Sequence, residues 1–307
     1  KTMISKRLQI DEENANNRID IFLSKSFDSI SRGIVQDLIG EGKVLVNGKT
    51  VERDYKTKIN DVIEIEFNLE TNNEDQAQDI SLDIIFENDD FLIIDKQAGL
   101  TVHPGAGQKD STLINGLLNI YPKQRKIPRY GVVHRLDKDT SGLMIIARTL
   151  ESHTNLTDLI QKRSIKRNYY ALVHGQPIAG DTIDKPIGRH PKNRLLFCVK
   201  DGGRQAITHF KIYKKFKNFS LLDVSLETGR THQIRVHMQH IGHPIAGDQS
   251  YCKIKNWKNS TEKEVNALSN LKRQSLHAYK LEFIYEDENF SFLSDIPDEL
   301  QSVIDKL

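Results

Sequence analysis

Residues 133–147 read VHRLDKDTSGLMIIA, and the two halves of this stretch make opposite demands on their surroundings. The run LMIIA at 143–147 carries no polar side chain, so it reads as a strand buried on both faces. Directly before it stand His134, Arg135, Asp137, Lys138 and Asp139. Charges beside buried backbone are costly unless they are paired. The segment is therefore either a reactive site or a polar turn whose charges point into water.

Further out, strands are predicted over 91–95, 170–173, 207–213, 219–226 and 276–283, with period-two alternation clearest at Leu222, Val224 and Leu226. Helices are predicted over 113–120, 151–163 and 231–241. Strands often follow one another with no helix between them, so the sheet should be mixed or mostly antiparallel and the domain α+β.

The first 67 residues form a separate pattern. Ile19, Phe22 and Leu23 have helical spacing, and Ser31 is a candidate N-cap for a helix burying Ile34, Val35, Leu38 and Ile39. Gly40 and Gly42 end that helix. Asn47-Gly48 then separates two β-prone runs, a hairpin signal because both turn positions need positive φ. A strand over 62–67 completes a small α/β unit, and NLETNNEDQAQD opens an acidic linker over 68–80 that divides 1–67 from 81–307.

Composition narrows the function. No apolar run is long enough to span a bilayer or serve as a secretory signal, which predicts a cytoplasmic protein with no membrane partner. Cys198 and Cys252 are too few for a disulfide framework or a four-thiolate zinc site, and read as buried small apolar residues. The net charge of +2 hides an asymmetry: residues 91–307 hold 33 basic side chains against 22 acidic ones. Residues 185–217 alone carry ten basic side chains and the single acid Asp201. Such a surface suits a polyanion through counterion release, although charge alone fits a solvated face equally well.

Taken on their residues, the ten positions 133–142 allow rival chemistries. Asp139-Thr140-Ser141-Gly142 matches the aspartic-protease sequence, but that reaction needs a second carboxylate from a related half, and Asp181-Thr182-Ile183 lacks the glycine. Asp137 and Asp139 form a glycosidase-like pair whose carboxyl separation the sequence does not give. His237 and His240, three apart on a helix, are candidates to bind zinc with Asp248, which would make a hydrolase; no HExxH pairing accompanies them.

The order RIDIFLSK, SRGIVQDLIGEGKVLVNGK, NDVIEIEF in the first part resembles the S4 RNA-binding domain, which implies RNA contacts at Arg32, Lys43 and Lys49. HRLD at 134–137 followed by TSG at 140–142 resembles the signature of the RluA-type pseudouridine synthases. KRNYYALVHG at 166–175, ETGRTHQIRVHMQHIGHPIAGDQSY at 227–251 and QSLHAYKLEF at 274–283 are similar to later motifs of that family. DKQAGLTVHP at 95–104 is similar to another, with Asp95 and Gln97 where Asn and Pro are usual. The likeness spans nearly the whole chain and comes nearest to the RluD branch, which acts on large-subunit ribosomal RNA.

The resemblance implies a catalytic domain with a central cleft, Asp137 as the catalytic carboxylate, Tyr169 as the active-site tyrosine and Arg235 as the carboxylate's partner. It leaves His232, His237 and His243 without a metal. Its reaction moves C1′ of a uridine from N1 to C5 of the same base. No atom is lost and no redox change occurs, so no cofactor is expected. The difficult moment is cationic character at C1′, which a buried carboxylate can stabilise if a guanidinium keeps it ionised. Truncating Arg235 is accordingly expected to remove activity from an intact fold. A stacked uridine must leave its helix to react. Arg135 is therefore a candidate to fill the gap or grip phosphate, Arg230 a second phosphate contact, and Arg189, Lys192 and Arg194 a backbone track. Ribosomal RNA or an assembling large subunit is the expected partner, bound by a monomer.

Overall fold

The computed structural model describes residues 3–27, 32–68, 75–105, 108–254 and 260–307, and the chain divides into two compact units, Lys1–Glu74 and Asp75–Leu307. The candidate cap Ser31 lies outside the described residues, as do 69–74 of the acidic stretch.

In the first unit, strands β1 (Met3–Gln9), β2 (Val44–Val46), β3 (Lys49–Thr50) and β4 (Val62–Asn68) form a sheet in the order β1-β4-β2-β3. Helices α1 (Ile19–Ser26) and α2 (Arg32–Gly40) pack on it through Ile19, Leu23, Val35, Leu38 and Ile39. Ile34, expected inside, is 40 % exposed, because the buried stripe of α2 runs along 35, 38 and 39. Asn47 and Gly48 both have positive φ, 52° and 77°, as the β2–β3 hairpin requires. Asp20 was not singled out by pattern, yet it is fully buried and accepts from Arg18, Arg32 and Gln36. Burial works to raise its carboxyl, but these donors hold it at about 2.

In the second unit, nine strands form one sheet. They are β5 (Asp83–Glu87), β6 (Phe91–Lys96), β7 (Ser141–Ala147), β8 (Lys166–His174), β9 (Asp181–Asp184), β12 (Ile207–Lys215), β13 (Phe219–Leu226), β14 (Leu276–Tyr285) and β15 (Glu288–Leu293). Between β9 and β12 lies a separate hairpin, β10 (Ile187–Arg189) with β11 (Phe197–Val199). The main order is β5-β6-β7-β14-β8-β13-β12-β9, with β15 beside β14. β7 and β14 run parallel, whereas the other pairings in the sheet are antiparallel, so the mixed, mostly antiparallel α+β expectation holds.

Both faces of this sheet are covered. Helices α3 (Leu113–Ile120) and α5 (Gln233–His240) lie over Leu92, Ile94, Met144, Ile146 and Val224. On the other face α4 (Leu150–Gln161) contributes Leu156 against Phe91, Ile93 and Ile145. Helices α6 (Glu262–Ser269) and α7 (Asp298–Ile304) cover Leu172, Phe219 and Leu221. Two-sided burial explains why β6 and β7 read as unbroken apolar runs rather than alternating ones.

Candidate active site

The segment before β7 is fixed at almost every residue. His134 Nε2 accepts the Ile145 N–H at 3.0 Å, and Leu136 is buried. The Lys138 carbonyl accepts from Lys96 Nζ at 3.0 Å and from the Gly99 N–H at 2.9 Å. Arg273 Nη1 donates to the Asp139 carbonyl, Gln274 Nε2 to Thr140 Oγ1, and Ser141 Oγ pairs with His277 Nδ1. At Gly142 (φ 117°) a Cβ would stand 2.2 Å from the Ala278 carbonyl oxygen, so only glycine permits the parallel pairing of β7 with β14. The Asp-Thr-Ser-Gly sequence thus serves here as a turn bolted to β14.

Lys96 was not anticipated as part of this framework. Its buried Nζ donates to the carbonyls of Gln97, Leu100 and Lys138, three acceptors for the three N–H of an ammonium. Burial pushes it down to about 7, while Asp137 and Asp139 act in the opposite direction.

Three histidines of the second unit are neutral in the folded chain at neutral pH. Burial, with a smaller effect of Arg167, pushes His134 down to about 3, and burial chiefly holds His103 and His174 at about 4. The unfolded chain takes up protons near pH 6.5 that the folded chain refuses. Unfolding free energy should therefore be full above about pH 6.5 and fall as pH drops from there toward 4. His134→Gln keeps an acceptor for the Ile145 N–H but cannot titrate. Urea unfolding over this range should show a shallower decline for the variant; an equal slope would remove His134 from the account.

Asp137 emerges from this turn into a cleft of about 470 Å³, and its Oδ2 accepts Arg235 Nη1 at 3.1 Å. Arg235 comes from α5, and its other edge grips Asp248 with two bonds, Nε–Oδ2 at 2.7 Å and Nη2–Oδ1 at 2.9 Å. Asp248 is itself held by the N–H groups of Ser250 and Tyr251. The Tyr251 ring lies 4.9 Å from the guanidinium. Burial opposes the charge on Arg235, yet Asp248 and then Asp137 hold it above the ordinary arginine value. Asp248 takes the two-pronged edge, and Asp137 receives one bond, from Nη1. The pairing therefore orients the Asp137 carboxylate without consuming its lone pairs. Removing Arg235 would leave the buried Asp248 without its cation, so truncation is expected to cost stability as well as activity.

His232 completes this corner. It has a left-handed backbone (φ 57°) at the start of α5, Nδ1 2.7 Å from the Tyr251 hydroxyl and Nε2 4.0 Å from Asp137 Oδ2. The Tyr251 oxygen also accepts the Phe197 N–H, and His232 Nδ1 shares one hydrogen bond with that hydroxyl; in the tautomer where Nδ1 is the acceptor, the Nε2–H faces the carboxylate. Burial keeps this imidazole below its ordinary value despite Asp137.

Tyr169, on β8, is 4 % exposed and lines the same cleft. Burial pushes its hydroxyl up, with Arg167 pulling the other way and Asp137 adding to the rise. The geometry thus gathers Asp137, Tyr169 and Arg235 around one cavity of a size common for small ligands.

The basic residues divide differently from expectation. Arg135 and Arg230 border the cleft, joined by Arg129, Arg163 and Arg167, which the sequence reading did not select. Arg163 is paired with Glu227, and Arg230 Nε donates to the Gln205 carbonyl. Arg189, Lys192 and Arg194 are exposed around the β10–β11 hairpin and do not line the cleft. Arg189 lies over the Phe197 ring and donates to the Arg194 carbonyl. In the first unit, Arg32 is tied to Asp20 and Lys43 to Glu41, while Lys49 is exposed on β3. Cys198 and Cys252 are half-buried rather than buried. Both ring nitrogens of His237 are engaged, by Thr208 Oγ1 and the Lys185 carbonyl, and Asp248 is committed to Arg235.

The RNA pseudouridylate synthase family model matches residues 90–240, and the S4 domain model matches 17–63. The chain is 42 % identical over 301 residues to a protein of Xanthomonas campestris named ribosomal large subunit pseudouridine synthase D, covering 97 % of this chain and 91 % of that one. Proteins of the same name in Vibrio cholerae and Escherichia coli K12 are 40 % and 42 % identical, covering 95 % and 89 % of this chain and 91 % and 84 % of theirs. Human RNA pseudouridylate synthase domain containing 4 shares the fold, with a TM-score of 0.58 at 20 % identity over 73 % of this chain and 92 % of that one.

Proposed function

From the premise that the chain belongs to the RNA pseudouridylate synthase family, with an S4 domain at its start, we propose that Asp137, Arg235 and Tyr169 carry the isomerisation of uridine in large-subunit ribosomal RNA. The observation that carries this reading is the Asp137 carboxylate, aimed into an arginine-rimmed cleft and steered by a guanidinium anchored on Asp248. Mapping pseudouridines in large-subunit RNA from cells with and without the active protein tests it. Sites that persist in cells lacking the protein would refute it.

In the reaction the N1–C1′ bond breaks, C5 bonds to C1′, the C5 proton leaves and N1 gains one. Asp137 either adds to C1′ or removes the C2′ proton; both routes need the ionised carboxylate at the ribose. Arg135 and Arg230 are our choices for phosphate contacts at the cleft. Arg189, Lys192 and Arg194 would extend the track, and Arg32, Lys43 and Lys49 would add contacts from the S4-like domain. We take that domain as 1–67, joined by the linker 68–80 to a synthase domain at 81–307. The protein is read as a cytoplasmic monomer acting on RNA or an assembling subunit, and no described helix is long and apolar enough to cross a membrane.

Tyr169 offers a ring against which uracil stacks and a hydroxyl for the C5 proton. Because burial keeps the phenol protonated at neutral pH, it accepts that proton only by passing its own onward. Tyr169→Phe is expected to lower kcat by about 10²–10⁴ and to accumulate a C5-protonated adduct in the RNA. Unchanged turnover would confine Tyr169 to packing.

A further inference from the structure

We propose that Arg167 binds the phosphodiester adjoining the target uridine. It lies on β8 two residues before Tyr169, so both side chains leave the strand on the same face, and both line the cleft. Arg167 is 6 % exposed, yet its side chain has no carboxylate partner and no hydrogen bond among the described residues, and its Nε is buried without an acceptor.

The other buried arginines show how this chain normally treats such a group. Arg235 has Asp248 and Asp137, and Arg273 has Glu299 with three backbone carbonyls and Ser141. A buried guanidinium left unpaired is expensive, and such a group points to a partner that arrives from outside. The space around it is reserved as well. A Cβ on Gly229 would come within 3.0 Å of Arg167 Nη1, so any larger residue there would press on the guanidinium.

The missing partner is an anion, and the planar fork favours one with two oxygens side by side. Uracil and ribose are uncharged. Of the parts of an extruded nucleotide that enter with it, only the flanking phosphates have this chemistry. Arg135 and Arg129 at the mouth favour the same ligand. The inference rests on the reading that this cleft takes a uridine of RNA.

The test uses the full chain and a large-subunit RNA fragment containing its mapped target. The phosphate on the 5′ or the 3′ side of that uridine is replaced by an uncharged methylphosphonate. Product formation by the unaltered protein on natural RNA checks the underlying reading by itself. Arg167→Met should then lower kcat/KM about 30- to 100-fold and reduce the salt slope of binding by about one. The melting temperature should be unchanged or higher, because an unpaired buried cation has been removed. Arg167→Lys should recover part of the activity. At one of the two positions, the methylphosphonate should cost the unaltered protein a similar factor and the Met variant nothing further. Full activity of Arg167→Met would overturn the proposal, as would losses that multiply at both positions.

Discussion

Asp137→Asn is expected to abolish pseudouridine formation while leaving the protein folded. Asparagine has nearly the volume of aspartate, and its side-chain oxygen can still accept the Arg235 N–H that Asp137 Oδ2 accepts at 3.1 Å. The charge lost is one that Arg235 does not depend on, since Asp248 already holds it through two bonds. Stability should therefore change by less than about 1 kcal/mol. The chemistry has no such reserve. An amide neither attacks C1′ nor offsets positive charge there, and a fall of at least about 10⁴ in kcat follows from removing the reacting group. Release of tritium from C5-labelled uridine in RNA measures this directly. A variant that still releases tritium at a tenth of the original rate would sink the assignment of Asp137.

Much of this site is legible along the chain because its parts lie in local motifs. Asp137 is marked by the charges before an apolar strand, whereas Tyr169 and Arg235 stand out through the likeness of 166–175 and 227–251 to family motifs. The elements with strong periodicity also emerge, including α3 over its full length and β13 at both ends. The missed elements lack such a signal. β5 is half exposed along its length, β10 and β11 have three residues each, and α6 and α7 are short and rich in charge. Relations made by topology leave no trace in spacing either. Gly142 must be glycine because β14 passes beside it, 136 residues later at Ala278. The bare guanidinium of Arg167 is visible only once its neighbours are known. Asp248 enters only as a companion to a zinc reading that is set aside, because the sequence shows its residue type and not its partner.

That partner sets the second large effect. Arg235→Ala should cost both activity and roughly 3–5 kcal/mol of stability, because it leaves a fully buried Asp248 carboxylate with no cation. Arg235→Lys keeps a charge but not the fork. It can satisfy Asp248 or steer Asp137, and should retain most of the stability with little of the turnover. Activity alone therefore cannot separate a steering role for Arg235 from a structural one. The double variant Arg235→Met with Asp248→Leu can. Replacing both members of the buried pair by apolar side chains removes the stranded charge, so urea unfolding should recover most of the loss seen with Arg235→Ala. Tritium release should stay near the background, because Asp137 has lost the donor that aims it. Recovery of turnover together with stability would show that Arg235 serves the fold alone, and that Asp137 finds its orientation from the turn before β7.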